Sequence, residues 1–310
     1  MAVLQGVFPI LPTIFDAQGG IDEAGTEAVF EYILAAGAAG VVFPGLASEY
    51  YMLALDERLH LTACIGRWNR GRVPFIVGAS ARTLEDAVQL ARAGGDAGAS
   101  AAMVLTPHAL AGDAEGMAGF FSRLASESGV AVMLQNAPAP MGVGLGVDAV
   151  VALTAQVPAI EYVKEETMPS GHRITALSER AGSSVRAVFG GAGARYVLDE
   201  LARGAVGTMP ACEITEVHVA MLAAWAAGDH ARARTLFERT LPLLSMQAVF
   251  RWRLTKAILL RRGLIGSDHV RAPGPALDRF DARELDILLD RISDLLPLDA
   301  VPGQVRRTPA

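Results

Sequence analysis

The most reactive pattern in the sequence is a lysine at the end of a short apolar segment, followed by two glutamates. Residues 160–164 have the composition of a buried strand, and Glu165 and Glu166 follow Lys164 directly. Loss of hydration favours the neutral form of an amine, and a neutral amine can attack a ketone and form a Schiff base. On an extended chain Glu166 would share the lysine's face and could move protons there. The alternative is a solvent-facing lysine that pairs with a glutamate.

Lys164 is also the only lysine before Lys256, since every other basic residue in that interval is arginine or histidine. Two further patterns accompany it. In residues 45–49 (Gly-Leu-Ala-Ser-Glu), glycine permits a tight turn whose successive N–H groups can cradle a carboxylate, although an ordinary turn before a helix would look the same. Gln135 can orient a water or a hydroxyl, but it cannot act as a general acid near neutral pH.

These residues follow apolar segments that alternate with helical ones. Continuous apolar segments indicate strands buried on both faces of a parallel sheet, and the repeat of ~25–35 residues has the size of a βα unit. Eight such units predict a (β/α)₈ barrel (TIM barrel), in which reactive groups lie at the carboxyl ends of the strands. A doubly wound sheet would usually open with a GxGxxG turn, which the first segment lacks. The predicted strands are residues 7–15, 40–45, 74–80, 100–107, 130–138, 160–164, 185–191 and 205–211.

The chain continues beyond the eighth strand with apolar patterns typical of helices. One of these helices should close the barrel, and the rest should form a C-terminal helical extension. The predicted helices are 23–36, 56–68, 83–93, 113–128, 147–156, 170–181, 193–202, 213–228, 230–245, 247–263 and 281–295. We therefore expect a barrel over residues 1–228, helices packed on it over 229–297, and a loose tail over 298–310.

Composition excludes several classes of function. The net charge is −6 with no long basic run, which argues against nucleic acid as a partner. No stretch of ~18 apolar residues predicts a membrane span. Cys64 and Cys212 lie far apart in the sequence, so we expect neither a disulfide framework nor a metal site, and a cytoplasmic location is the default.

Five landmarks on successive strand ends resemble the Schiff-base aldolase family that includes dihydrodipicolinate synthase and N-acetylneuraminate lyase. They are Pro12-Thr13, residues 45–49, Gln135-Asn136-Ala137-Pro138, Val163-Lys164-Glu165 and Phe189-Gly190-Gly191. The resemblance implies a barrel with C-terminal helices, Lys164 as the Schiff-base lysine, no cofactor, a 2-keto acid substrate and commonly a homotetramer. Residues carried over as candidates for substrate binding are Thr13, Gly45, Leu46, Ala47, Ser48, Asn136, Gly190 and Thr208.

The chain departs from the family pattern at several of these positions. Leu46 and Ala47 replace hydroxyl residues, and Ser48, which could supply a hydroxyl, replaces a glycine. Gln135 stands where most members have a proton-relay tyrosine, and no tyrosine occurs in residues 106–109, the second place where one is often found. Pro140 stands where dihydrodipicolinate synthases place an arginine, which makes lysine-biosynthesis activity doubtful.

Gln135 together with a glutamate two residues after the lysine is similar to a subgroup of 2-keto-3-deoxy sugar acid dehydratases, particularly the L-2-keto-3-deoxyarabonate type. The spacing from Glu166 to Met168-Pro169 differs from that subgroup by one residue. Glu166 would abstract the C3 proton of an iminium intermediate. The alternative is that Glu165 or Glu166 caps the following loop or pairs with Arg173.

The sequence thus predicts a lyase that acts on a 2-keto acid, with Lys164, Glu166 and Gln135 as catalytic residues and dehydration or aldol cleavage as the reaction. The alternatives are condensation of pyruvate with an aldehyde, or a catalytically weak family member that binds a keto acid. A phosphate-binding barrel enzyme is a third class, because Gly190 to Gly193 could form a glycine-rich phosphate site. His108 and His172 are further candidates for acid–base work.

Overall fold

The computed structural model describes residues 3–297, which form eight parallel strands joined by helices. The strand order is β1-β8-β7-β6-β5-β4-β3-β2, so each strand lies beside its neighbours in sequence and β1 pairs with β8. This is the topology of a (β/α)₈ barrel, and it confirms the predicted fold. The strands are β1 (Gly6–Val7), β2 (Val41–Phe43), β3 (Phe75–Gly78), β4 (Ala101–Leu105), β5 (Val132–Asn136), β6 (Ile160–Glu165), β7 (Ala187–Gly190) and β8 (Gly207–Thr208).

The barrel closes through single bridges at the end of β1 and not through a continuous ladder. Ile10 forms parallel bridges both to Val42 in β2 and to Ala211 beyond β8. Pro9 and Pro12 flank this position and lack the N–H group that a ladder requires. The predicted first strand, residues 7–15, was therefore too long.

Eleven helices surround and extend the sheet in the described part of the chain. Five of them begin with an aspartate or threonine whose side chain accepts a hydrogen bond from an N–H of the first turn. The helices are α1 (Glu23–Ala35), α2 (Leu55–Asn69), α3 (Leu84–Asp96), α4 (Ala114–Ser128), α5 (Val147–Gln156), α6 (Ser170–Arg180), α7 (Val197–Ala202), α8 (Thr215–Ala226), α9 (His230–Phe250), α10 (Trp252–Arg261) and α11 (Arg279–Asp290). None of them is long and apolar enough to cross a membrane.

The C-terminal helices form the predicted extension, but the break between the first two was wrongly placed. The sequence predicted helices over 230–245 and 247–263, whereas α9 runs to Phe250 and the break falls at Arg251, with φ 50° and ψ −122°. A non-glycine residue in this conformation is strained, and no propensity predicts it. The domain boundary at 228 stays a prediction, and the predicted tail, 298–310, lies outside the described residues.

The apolar residues fall into three clusters. One lies between the sheet and helices α1 to α6, and a second joins α7 and α8 to α9, α10 and α11. The third fills the barrel interior, where Phe8 and Phe189 meet edge to face with ring centroids 5.5 Å apart. Trp252 at the start of α10 belongs to this interior cluster, so the C-terminal helices reach over the barrel mouth.

Candidate active site

A small cavity lies at the carboxyl ends of the strands and has a volume of about 120 Å³. It is smaller than the roughly 300–1,000 Å³ pockets that hold drug-sized ligands, so it suits a small substrate. Loops after β2, β7 and β8 meet the end of α9 around it. Its lining consists of Ile10, Leu46, Ala47, Met141, Lys164, Glu166, Ala192, Gly193, Arg195, Met209, Ala211, Gln247, Ala248, Arg251 and Trp252.

Lys164 and Glu166 face this cavity together. Lys164 lies in β6 with 5% of its side chain exposed, and its Nζ lies 3.3 Å from Oε1 of Glu166. Side chains alternate along a strand, so residues two apart share a face, as the sequence predicted. Glu165 points the other way, where Asn136 and Arg173 bind its buried carboxylate. The alternative pairing of a glutamate with Arg173 is therefore made by Glu165.

The surroundings of Glu166 keep its carboxylate ionised. Burial alone would raise its pKa, but the Lys164 ammonium and hydrogen bonds from Gln135 and the Ala192 N–H outweigh burial, and the pKa of Glu166 is lowered. Gln135 Nε2 donates to Glu166 Oε2 at 2.6 Å, and the Ala192 N–H donates to Oε1 at 3.3 Å. A carboxylate held in this way can accept a proton from carbon beside the lysine.

Gln135 is positioned by the sheet itself. It is the register partner of Lys164 across β5 and β6, and only 3% of it is exposed. Its amide donates to Glu166 and so orients the carboxylate towards Lys164. A tyrosine could exchange a proton at this position, whereas an amide can only hold a partner in place.

The loop after β2 presents backbone N–H groups to the cavity. Residues Leu46–Ser48 form a single 3₁₀ turn. The first N–H groups of such a turn, here those of Leu46 and Ala47, have no acceptor within it and can bind an anion. Both residues line the cavity, and their role as a carboxylate site stays a prediction.

Hydrogen bonds of the Ser48 and Thr13 hydroxyls hold this loop in place. The Ser48 hydroxyl accepts from the Gly45 N–H and donates to the Leu11 carbonyl, while the Thr13 hydroxyl donates to the Ser48 carbonyl at 2.9 Å. All four of these residues are buried. Ser48 was expected to offer a hydroxyl to the substrate, and the structure places that hydroxyl within the turn.

A second lysine holds the far end of the same loop. The buried Lys256 of α10 lies 2.7 Å from Glu49 Oε1 and donates to the His269 carbonyl, and Glu49 Oε2 accepts from the Ala272 N–H. Burial lowers the pKa of Lys256 to about 8, although Glu49 opposes that shift. The sequence analysis assigned no role to this pair, and its signal was the glutamate that ends residues 45–49.

Three predicted substrate-binding residues lie behind the cavity wall. The Asn136 amide bonds Glu165 and the backbone of Leu145, which holds the loop after β5. Thr208 is buried in β8. Gly190 leaves room for Glu200, because an added Cβ would lie 1.9 Å from its Oε2.

Gly191 has the equivalent function for the base. A Cβ at Gly191 would lie 2.4 Å from Glu166 Cγ, so only glycine leaves the base its present position. Burial raises the pKa of Glu200 to about 7, although the hydrogen bond from Ser170 opposes the shift. The Glu200 carboxylate therefore lies against Gly190, and the Glu166 side chain lies against Gly191. Each of them can keep its position only because a glycine is there.

Three polar side chains that the sequence did not predict reach the cavity from its C-terminal side. They are Arg195, which follows β7, together with Gln247 and Arg251 at the end of α9. Arg195 Nη1 lies 3.4 Å from Gln247 Oε1. Gln247 and Arg251 lie far along the sequence from any strand end, and the helix break at Arg251 carries no distinctive sequence signal. Arg195 lies just beyond the Gly190-Gly191 dipeptide that was the predicted landmark of β7.

The predicted histidines lie elsewhere. His172 is exposed on α6. The exposed His108 has its Nε2 3.0 Å from the Pro140 carbonyl and lines a larger cavity of about 610 Å³ beside Tyr50 and Arg58. That cavity contains no lysine, so the smaller cavity remains the candidate active site.

One cluster has donor atoms that could bind a metal. Glu23, His60 and Cys64 place ligand atoms within 4.8 Å of one another on α1 and α2, whereas the sequence predicted no metal site. The Arg67 guanidinium lies 3.1 Å from the Cys64 sulfur and 3.7 Å from Glu23. A fixed positive charge beside two of three ligands opposes cation binding there.

Comparison with known proteins agrees with this geometry. L-2-keto-3-deoxyarabonate dehydratase of Azospirillum brasilense is 27% identical, over 94% of this chain and 96% of that protein. A 4-hydroxy-tetrahydrodipicolinate synthase of Methanothrix thermoacetophila is 28% identical, over 94% of this chain and 98% of that protein.

Among solved structures, Escherichia coli YagE in complex with pyruvate superposes with a TM-score of 0.86 at 25% identity, covering 94% of this chain and 99% of YagE. Residues 3–291 match the Dihydrodipicolinate synthetase family, which is nearly the whole described chain. The chain therefore belongs to the Dihydrodipicolinate synthetase family.

Proposed function

We propose that the protein is a Schiff-base lyase that acts on a 2-keto-3-deoxy sugar acid and needs no cofactor. The observation that carries this proposal is the pair formed by Lys164 and Glu166, 3.3 Å apart on the wall of a small cavity at the barrel mouth. Membership of a lyase family and similarity to a 2-keto-3-deoxy sugar acid dehydratase support it.

The residues suggest a sequence of steps. The keto-acid carboxylate binds the N–H groups of Leu46 and Ala47. Glu166 takes a proton from the Lys164 ammonium, the neutral Nζ attacks the C2 ketone, and Glu166 returns the proton to the hydroxyl that leaves as water. Loss of water gives an iminium ion, and Glu166 removes a C3 proton to form an enamine. Expulsion of the C4 hydroxyl, protonated as it leaves, gives a second water. Hydrolysis of the resulting iminium consumes one water and frees Lys164, so the substrate loses one water overall.

Dehydration fits the site somewhat better than aldol cleavage. A buried carboxylate beside the iminium suits removal of a carbon-bound proton at C3. Cleavage of the C3–C4 bond instead requires a base for the C4 hydroxyl, the kind of proton transfer a relay tyrosine can assist. Gln135 occupies the position of that tyrosine and cannot take up a proton.

The test is product analysis on a panel of 2-keto-3-deoxy pentonates and hexonates, combined with borohydride trapping. Loss of water identifies a dehydratase, and pyruvate plus an aldehyde identifies an aldolase. Borohydride should fix the substrate carbon on Lys164, found by peptide mass, and Lys164→Arg should abolish the adduct. No adduct with any keto acid would contradict the Schiff-base mechanism.

Condensation of pyruvate with an aldehyde is the second candidate reaction, favoured by the similarity to 4-hydroxy-tetrahydrodipicolinate synthases. Pro140 provides no cation for a second substrate's carboxylate. Incubation with pyruvate and aspartate semialdehyde distinguishes this reaction by its product. Keto-acid binding without turnover, unchanged in Lys164→Arg, would instead identify a catalytically weak binding protein.

The resemblance also supports a homotetramer in the cytoplasm. Cys64 and Cys212 are both free, which agrees with a reducing compartment. Light scattering should give about four times the 32.5 kDa mass of the chain.

A further inference from the structure

Two arginines face the cavity that contains Lys164 without a carboxylate partner. Arg195 is half-buried, and its guanidinium makes two long hydrogen bonds, to the Leu244 carbonyl at 3.5 Å and to Gln247 at 3.4 Å. Arg251 contacts the Trp252 ring, with its guanidinium carbon 5.9 Å from the ring centroid. Within residues 3–297, no carboxylate oxygen lies within 4.0 Å of either guanidinium.

These two cations lie close enough to repel each other. Burial lowers the pKa of Arg195, and the charge of Arg251 adds to that effect while Glu166 opposes it. Arg251 is exposed, whereas Arg195 is half-buried. Most other half-buried arginines pair with acids, as Arg262 does with Glu216 and Arg271 with Glu57. Two guanidinium groups that line a cavity without a carboxylate partner have donors suited to a carboxylate or phosphate.

The backbone presents Arg251 at a cost in conformational energy. Arg251 has φ 50° and ψ −122° at the junction of α9 and α10, a region that favours glycine. Trp252 holds the junction in place, because its Nε1 donates to the Tyr51 hydroxyl at 2.9 Å and its ring packs into the barrel interior. Strain of this kind occurs mainly at functional sites, where surrounding contacts enforce it.

The basic side chains that line the cavity outnumber its single carboxylate. Its lining carries Lys164, Arg195 and Arg251 against Glu166 alone. A bound 2-keto acid brings one negative charge to the Leu46 and Ala47 N–H groups. The iminium on Lys164 keeps its positive charge. Lys164, Arg195 and Arg251 then carry three positive charges against the two negative charges of Glu166 and the substrate carboxylate, so one positive charge still lacks a counter-ion.

We infer that the substrate carries a second anionic group at the end remote from the keto acid, and that Arg195 and Arg251 bind it. This inference rests on the proposed function and names the substrate class within it. The cavity volume of about 120 Å³ limits the distance between the two ends, so the substrate is a short, doubly anionic 2-keto acid. A carboxylate or a phosphate could provide the second charge, since guanidinium groups bind both in a forked geometry.

The first test uses ligands that need no turnover. Calorimetry compares 2-oxoglutarate, which has a carboxylate at each end, with 2-oxopentanoate, which has the same chain length and a methyl end. We expect 2-oxoglutarate to bind at least about tenfold more tightly. Equal affinity, or tighter binding of 2-oxopentanoate, would overturn the inference.

Variants then assign that preference to the two arginines. Arg195→Gln and Arg251→Gly should each reduce the preference for 2-oxoglutarate about tenfold and leave 2-oxopentanoate binding within about threefold. Glycine at 251 removes the guanidinium and also relieves the strained φ, so this variant should fold. Arg232→Gln, which removes an exposed arginine from the other end of α9, is the matched control and should keep the full preference.

Turnover identifies the second group. The compounds compared are a 2-keto-3-deoxy pentonate with a neutral CH₂OH end, the matching five-carbon aldarate with a carboxylate end, and the 5-phosphate. A higher kcat/KM for the aldarate or for the phosphate identifies the group, and a preference for the neutral pentonate contradicts the inference. Failure of pyruvate trapping at Lys164 would overturn the proposed function alone, because the binding comparison is independent of it.

Discussion

Glu166 lies between two side chains of adjacent strands: its Oε1 is 3.3 Å from Lys164 Nζ, and its Oε2 accepts a hydrogen bond of 2.6 Å from Gln135. The carboxylate therefore has one oxygen beside the proposed nucleophile and the other fixed by an amide. Such a fixed base does not need to reorganise before it accepts a proton.

Replacing the base should separate Schiff-base formation from the later steps. Glu166→Gln keeps the shape of the side chain but cannot accept a proton, so kcat should fall about 10²–10⁴-fold. Borohydride trapping at Lys164 should persist. Glu161→Gln, on the outer face of β6 where it pairs with Arg186, is the control and should keep wild-type kcat. Turnover of Glu166→Gln within tenfold of wild type would exclude this base.

Removing the amide should change the pH profile. Gln135→Met keeps the side-chain volume but loses a hydrogen bond that lowers the pKa of Glu166. Because burial still raises that pKa and less now opposes it, the pKa of Glu166 should rise. The base is active when ionised, so the acid limb of kcat/KM should move to higher pH, while Glu166→Gln should lack this limb. An unshifted limb in Gln135→Met would mean that Gln135 does not tune the base.

A methyl group added at Gly191, against the side chain of Glu166, should reduce turnover without removing a functional group. In Gly191→Ala the new Cβ would lie 2.4 Å from Glu166 Cγ and displace the carboxylate. A displacement near 1 Å can lower rates about 10²-fold, so we expect kcat to fall about 10–10²-fold. Gly119→Ala in α4 has open space around the added methyl and should leave kcat unchanged. Equal activity of the two variants would contradict the crowding argument.

A buried acid that does not line the cavity should make stability depend on pH. Burial raises the pKa of Glu213 to about 7, while hydrogen bonds and Arg262 oppose the shift. The folded state therefore binds more protons than the unfolded state between about pH 4.5 and 7. The stability contribution of Glu213 is fully present below pH 4.5 and is lost as pH rises through 7.

Glu213→Gln should remove this dependence. By denaturant unfolding, it should gain roughly 1–3 kcal/mol relative to wild type between pH 5 and pH 8. Glu238→Gln on α9, a residue without a resolved ion pair among the described residues, is the control and should follow the wild-type curve. Parallel curves for wild type and Glu213→Gln would contradict the assignment.

The sequence predicted the part of the site that the sheet positions. Lys164, Glu166 and Gln135 meet because parallel strands bring their carboxyl ends to one edge, and strand periodicity determines which side chains share a face. The contacts of the loop after β2 were less predictable. Ser48 has the chemistry to bind a substrate, but its hydroxyl closes the turn, and that choice depends on local geometry.

The C-terminal side of the site could not be predicted from strand periodicity. Arg251 reaches the cavity because α9 continues to Phe250 and the chain then adopts a strained conformation over the barrel mouth. Helical propensity continues through this stretch without an obvious breaker. Packing of Trp252 into the barrel interior, a tertiary contact, determines where the break falls.

The buried position of Lys256 has a practical consequence for labelling the protein. The sequence contains two lysines, and Lys256 is fully buried between Glu49 and the His269 carbonyl. Of the two lysine side chains, amine-directed dyes and cross-linkers should therefore reach only Lys164, and only through the cavity. A small aldehyde or activated ester that enters the cavity would report directly on occupancy of the site.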